Sequence, residues 1–135
     1  MPPKAKITKE MIVETAFQIA REEGADKITV RSIAERLNCS TQPVLYYFAS
    51  IDGIKKAVYE KTTSLYPNDY RAFNNLADIA YKNGDIAKAT SYLQKAAQLN
   101  SSAAEVNNNL GLVALINGDT DKAETYLAKS TGASK

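Results

Sequence analysis

The second half of this chain repeats itself. Shifted by 34 residues, Leu76 falls on Leu110, Asn74-Asn75 on Asn108-Asn109, and Asn83-Gly84-Asp85 on Asn117-Gly118-Asp119. The same shift lays Lys88-Ala89 on Lys122-Ala123, Tyr92-Leu93 on Tyr126-Leu127, and Lys95 on Lys129. A fixed period of this length marks a small supersecondary unit that hides its apolar face only by stacking on its neighbours. Each unit here reads as helix, Asn-Gly-Asp turn, helix, because Gly permits the positive φ that ends the first helix. That one pattern removes sheets from the second half and leaves a helical solenoid.

These residues resemble tetratricopeptide repeats at the positions that diagnose them. Phe73 takes the Trp position, Leu76-Ala77 and Leu110-Gly111 take Leu-Gly, and Gly84 and Gly118 close the turn between helices. Ala89 and Ala123 are the small residues where paired helices touch, and Ala96 is the later Ala. Departures are Ala80 and Ala114 at the Tyr position and Asn107 at the second Trp position. The resemblance implies a concave face built from the first helix of each repeat, at Asn74, Asp78, Tyr81 and Lys82, then Asn108, Leu112, Leu115 and Ile116. Ordinary solenoid surface is the plainer reading of most of them. Leu112, Leu115 and Ile116 read as a surface awaiting a partner, either the first domain or a second copy.

The first half carries a different pattern. Thr8 caps a helix from Lys9 to about Glu23, with Met11, Ile12, Thr15, Ala16, Ile19 and Ala20 as its inner stripe and Gly24 as its stop. Thr29 caps a short helix, Val30 to Leu37, and Asn38-Cys39-Ser40 makes a tight turn into a third helix, Thr41 to Phe48, with Ser40 placed to cap it. Pro43 is tolerated there because the first turn needs no backbone N–H. Two short helices joined by such a turn describe a helix-turn-helix unit, whose second helix fits the major groove. The stretch TVRSIAERLNCSTQPVLYYFASIDGI resembles the DNA-binding domain of the tetracycline-repressor family. That likeness implies phosphate contacts at Thr29 and Arg31, groove contacts at Ser40, Thr41, Gln42 and Pro43, and backbone contacts or packing for Tyr46 and Tyr47. Leu45 and Ile51 depart from the family's phosphate-contacting Tyr and Lys.

Between the halves, Ser50 to Pro67 reads as one helix shared by both patterns. Counting back in the repeat phase, Tyr59 takes the large aromatic position, Thr62 the small one, Leu65 the late apolar one and Pro67 the terminal Pro. This predicts that Tyr59 and Leu65 pack against the helix bearing Phe73 and Leu76. The expected fold is all-α: a three-helix helix-turn-helix domain whose fourth helix continues into an αα-hairpin solenoid of about two repeats. The domains are residues 1–62, with helix 50–66 shared, and 63–135, with repeats at 70–103 and 104–131.

Composition narrows the function. The chain has 135 residues and no His, the most common general base and metal ligand. Its single Cys39 cannot form an internal disulfide. No phosphate loop, dinucleotide glycine pattern, metal spacing or nucleophile elbow is present. The sequence therefore predicts no enzyme, no catalytic residue, no metal and no cofactor. It also predicts no signal peptide or membrane span, hence a cytoplasmic protein. Net charge is +2, all of it in the first half: residues 1–62 hold ten Lys/Arg and eight Asp/Glu, residues 63–135 seven of each.

Three functions stay open. The leading one is an engineered chimera recombining the two parents within a helix, without a selected catalytic function and with residual DNA binding. The second is a natural-type transcription regulator using the repeats to dimerise, and the third a peptide- or protein-binding module. The partners implied are double-stranded DNA, weakly bound by a monomer, and a second copy through the repeat surface. No small-molecule inducer is expected, because the repressor family's inducer domain has no counterpart here.

Overall fold

A computed structural model describes residues 6–132, and those residues contain eight α-helices and no strand. They divide into two compact units, the first ending at Val58 and the second beginning at Tyr59, so the division falls inside the fourth helix.

In the first unit α1 runs Lys9–Glu23. Thr8 Oγ1 accepts from Met11 N at 3.1 Å, and Ile12, Ala16 and Ile19 form a buried stripe at helical spacing. After Gly24 and a 3-10 turn, α2 spans Val30–Leu37. A reciprocal capping box opens it: Ser32 N donates to Thr29 Oγ1 at 2.9 Å and Thr29 N to Ser32 Oγ at 3.0 Å. Asn38 closes it in the left-handed region at φ 53°. Arg36 ties α2 to the end of α1 through Glu22 and Glu23. The third helix, α3, is Gln42–Tyr47, shorter than the spacing predicts at both ends. Thr41, not Ser40, is its cap residue, and no side chain bonds the free N–H groups there. The fourth helix, α4, is Ile51–Leu65, and its Ile54 and Val58 complete the core formed by Ile12, Phe17, Ile33, Val44 and Phe48.

In the second unit α5 (Tyr70–Lys82) pairs with α6 (Ile86–Leu99), and α7 (Ala104–Ile116) with α8 (Thr120–Thr131). The two turns are copies. Gly84 and Gly118 have φ of 80° and 76°, Asp85 N and Asp119 N donate back to Ala80 O and Ala114 O at 2.9 Å, and each Asp then caps the next helix. Ala89 and Ala123, at 0% and 1% exposure, let the paired helices close. Stacking of α7 on α5 and α6 buries Ala77, Leu93, Ala96, Val106, Leu110 and Val113 in one core.

One expectation about packing needs correction, and one departure from the repeat pattern finds its explanation. Leu65 does not pack inward: it is 53% exposed, so the end of α4 presents it to solvent. Asn107, at the position of a large aromatic, is buried as an amide, with Nδ2 donating to Ser101 O at 3.1 Å and Ala103 O at 3.0 Å. Two backbone acceptors remove the cost of burying it.

Candidate functional site

The first helices of the two repeats, α5 and α7, are joined by hydrogen bonds at a single spacing. Asn109 Nδ2 donates to Asn74 Oδ1 at 2.9 Å, and Tyr70 Oη donates to Glu105 Oε1 at 3.0 Å. Each pair is 35 residues apart, one repeat plus one residue. The Glu105 carboxylate accepts a hydrogen bond from the phenol O–H, which favours the protonated form and so raises the Tyr70 pKa above its ordinary value. These bonds fix how far one repeat is rotated on the next.

Beside them lies a shallow cleft of about 50 Å³, lined by Ala77, Asp78, Tyr81, Leu93, Asn109, Leu112 and Val113. Its floor is apolar, from Ala77, Leu93 and Val113, and its rim is polar, from Asp78, Tyr81 and Asn109. Asp78 is bridged to Lys82 at 3.1 Å, one helical turn away. Small-molecule sites usually enclose roughly 300–1,000 Å³. The cleft is the size of a side chain.

The residues expected on this face separate into groups. Asp78, Lys82, Asn108, Leu112, Leu115 and Ile116 are exposed. Asn74 is not available to a partner, because it is 8% exposed and already holds Asn109. Its neighbour in the stack covers it, so its work is to align repeats. Asn109 is the residue that sequence reasoning missed. Its signal was the repeated Asn-Asn pair at 74–75 and 108–109, but a 34-residue period does not say which of two adjacent amides faces the next helix.

In the first unit, Thr29 is committed to the α2 capping box and Arg31 Nε lies 3.3 Å from Glu35 Oε1, both side chains being well exposed. Ser40, Thr41 and Gln42 are exposed at the start of α3, while Pro43 is half-buried. Tyr46 projects furthest, at 82% exposure, edge-on to a half-buried Tyr47 with ring centroids 5.0 Å apart. Gln42 and Tyr46 are one turn apart and share the outer face of α3. Ile51, where the repressor pattern has Lys, packs against the core.

Among the described residues no group of three or more His, Cys, Asp or Glu side chains is placed to hold a metal ion, and no helix is long and apolar enough to cross a membrane. Compared with known protein families, the chain matches the model described as tetratricopeptide repeat over residues 56–103 and again over 74–134. No curated protein matches it significantly.

Proposed function

Because the chain belongs to the tetratricopeptide-repeat family, we propose that it is a non-catalytic protein-interaction module that takes a partner's peptide segment on the α5–α7 face. The observation that carries this reading is the cleft between the two first helices. An apolar floor under a polar rim accepts one apolar side chain, while Asn109 and Tyr81 offer hydrogen bonds to the segment's backbone and Asp78 favours a neighbouring cation. Tyr81 is the anchor most suited to a hot spot, being large, rigid and amphipathic.

Selection of short peptides against the full chain tests it. Selected sequences should share one apolar residue beside Lys or Arg and should shift the amide resonances of Tyr81, Asn109 and Leu112. Tyr81→Ala should then weaken binding about tenfold, near 1.4 kcal/mol. Peptides that perturb only α6, α8 or the first unit would sink the proposal.

A second reading attaches to the first unit, favoured by the exposed polar start of α3 and the outward Gln42 and Tyr46. Here the unit lays α3 in a DNA major groove, and the chain recombines a repressor-type reader with repeats inside α4, by design or by natural fusion. A single half-site reader binds weakly and with strong salt dependence. At low salt, a random duplex should be retarded by the protein, and Gln42→Ala with Tyr47→Ala should abolish the shift. No retardation at low salt removes this reading and leaves the first untouched.

A further inference from the structure

Asn107 leaves one hydrogen-bonding group over. Its Nδ2 donates to Ser101 O and Ala103 O, which uses both amide hydrogens. The side chain is 3% exposed, and its Oδ1 accepts from no protein group. Among the described residues no fully buried side-chain nitrogen or oxygen lacks a partner, so this oxygen reaches a surface. That surface is an open groove of about 430 Å³, within the range of ligand sites, with Asn107 in its lining. Under the 34-residue shift Asn107 stands where the first repeat has Phe73, whose ring packs on the repeat core. Packing alone is served by such a ring, whereas an amide sets an acceptor in the floor.

Three helices supply the rest of the groove. Gln94 and Gln98 come from α6, Leu110 joins Asn107 from α7, and Tyr126 and Lys129 come from α8. None of them lines the α5–α7 cleft. Gln94 and Gln98 are exposed and four residues apart, so they recur at roughly 6 Å along the wall. In an extended peptide the backbone groups that face one side recur at about 6.8 Å. Each Gln amide both donates and accepts, so the pair can meet successive backbone groups of either kind. Asn107 Oδ1 takes a backbone N–H from the floor, and Leu110 with the Tyr126 ring receives an apolar side chain.

Charge selects among such segments. Among the described lining residues Lys129 alone is charged, and its ammonium lies 5.9 Å from the Tyr126 ring centroid. It has no carboxylate partner among the described residues, and α6 carries Lys88 and Lys95 but no acidic residue. A cation whose companions are neutral amides and a ring is complementary to a carboxylate. The charged residue lining the α5–α7 cleft is of the opposite sign, Asp78. We infer that the groove between α6 and α8 binds an extended peptide segment bearing an acidic side chain, with the carboxylate on Lys129 and a backbone N–H on Asn107 Oδ1. The inference stands apart from the α5–α7 reading, since the two sites share no residue.

A displayed heptapeptide library with Glu fixed at its centre, selected on the full chain, tests it. The enriched peptides should shift the backbone amide resonances of Gln94, Gln98 and Lys129 and the side-chain amide of Asn107. Lys129→Glu, at an exposed position, should weaken their binding at least about tenfold. Replacing the peptide's Glu by Gln should weaken binding to the wild-type chain and change little against Lys129→Gln. Asn107→Phe gives the second repeat the residue of the first and should abolish binding, because it removes the acceptor and fills the floor. Helical circular dichroism checks that the variants remain folded. Tyr81→Ala, which reads the α5–α7 cleft, should leave binding to this groove unchanged. A library that yields no binder overturns the inference. So do binders that Lys129→Glu leaves at full strength, or whose shifts are confined to Tyr81, Asn109 and Leu112.

Discussion

Replacing Leu93 by Ala should cost the repeat unit about 2–5 kcal/mol, the range for emptying a Leu-sized site in a packed core. Leu93 is 1% exposed and sits where three helices meet: it belongs to α6, shares a core with Ala77 of α5 and with Val106, Leu110 and Val113 of α7, and floors the cleft. Because stability in a stacked array is shared between neighbours, the loss should spread to both repeats. Amide hydrogen exchange reads this directly. Protected amides in α5–α8 should exchange roughly thirtyfold faster or more, the lower figure corresponding to about 2 kcal/mol. Unchanged protection in α7 and α8 would show that the repeats do not share one core.

The second large effect separates the two ends of α4. Ile54→Ala should destabilise the first unit by about 2–5 kcal/mol, since Ile54 is fully buried among Ile12, Phe17, Val44 and Phe48. Leu65→Asp, eleven residues on in the same helix, should change stability by no more than about 0.5 kcal/mol, as surface substitutions away from special features do. Urea titrations of the two variants make the comparison. The repeat phase of the sequence predicts the opposite for Leu65, a large loss from a joint held by its side chain. A loss above about 2 kcal/mol on Leu65→Asp would restore that account.

The contrast at Leu65 shows where sequence reading stops. Position in a repeat is legible from spacing: the turn glycines, the capping Asp85 and Asp119 and the small Ala89 and Ala123 all stand where the 34-residue shift puts them. These features are local, each set by the backbone within a turn or two. Burial at an array's end depends instead on what lies beyond it, and the phase of Leu65 carries no information about a neighbour. Asn74 and Asn109 give the same lesson inside the array. Both belong to a repeated Asn-Asn pair, but only the rotation of α7 on α5 brings these two within hydrogen-bond distance.

The cleft is the least legible feature of all. The resemblance to tetratricopeptide repeats implies one face for Asp78, Tyr81 and Leu112, yet Leu93 from α6 forms the floor and Asn109 part of the rim. A groove between two helices exists only once their separation is fixed, here by Tyr70–Glu105 and Asn74–Asn109 and by the small residues beneath.

By itself, then, the sequence determined an all-helical fold, the bounds and caps of α1 and α2, and the family of its second half. These follow from short-range rules of hydrogen bonding and amphipathic period. Tertiary structure alone decided that Asn74 holds the stack, that Leu65 lies in solvent, and that Leu93 of α6 floors the cleft. The physical reason is common to all three: burial is a property of pairs of elements, and no single stretch of chain encodes its partner.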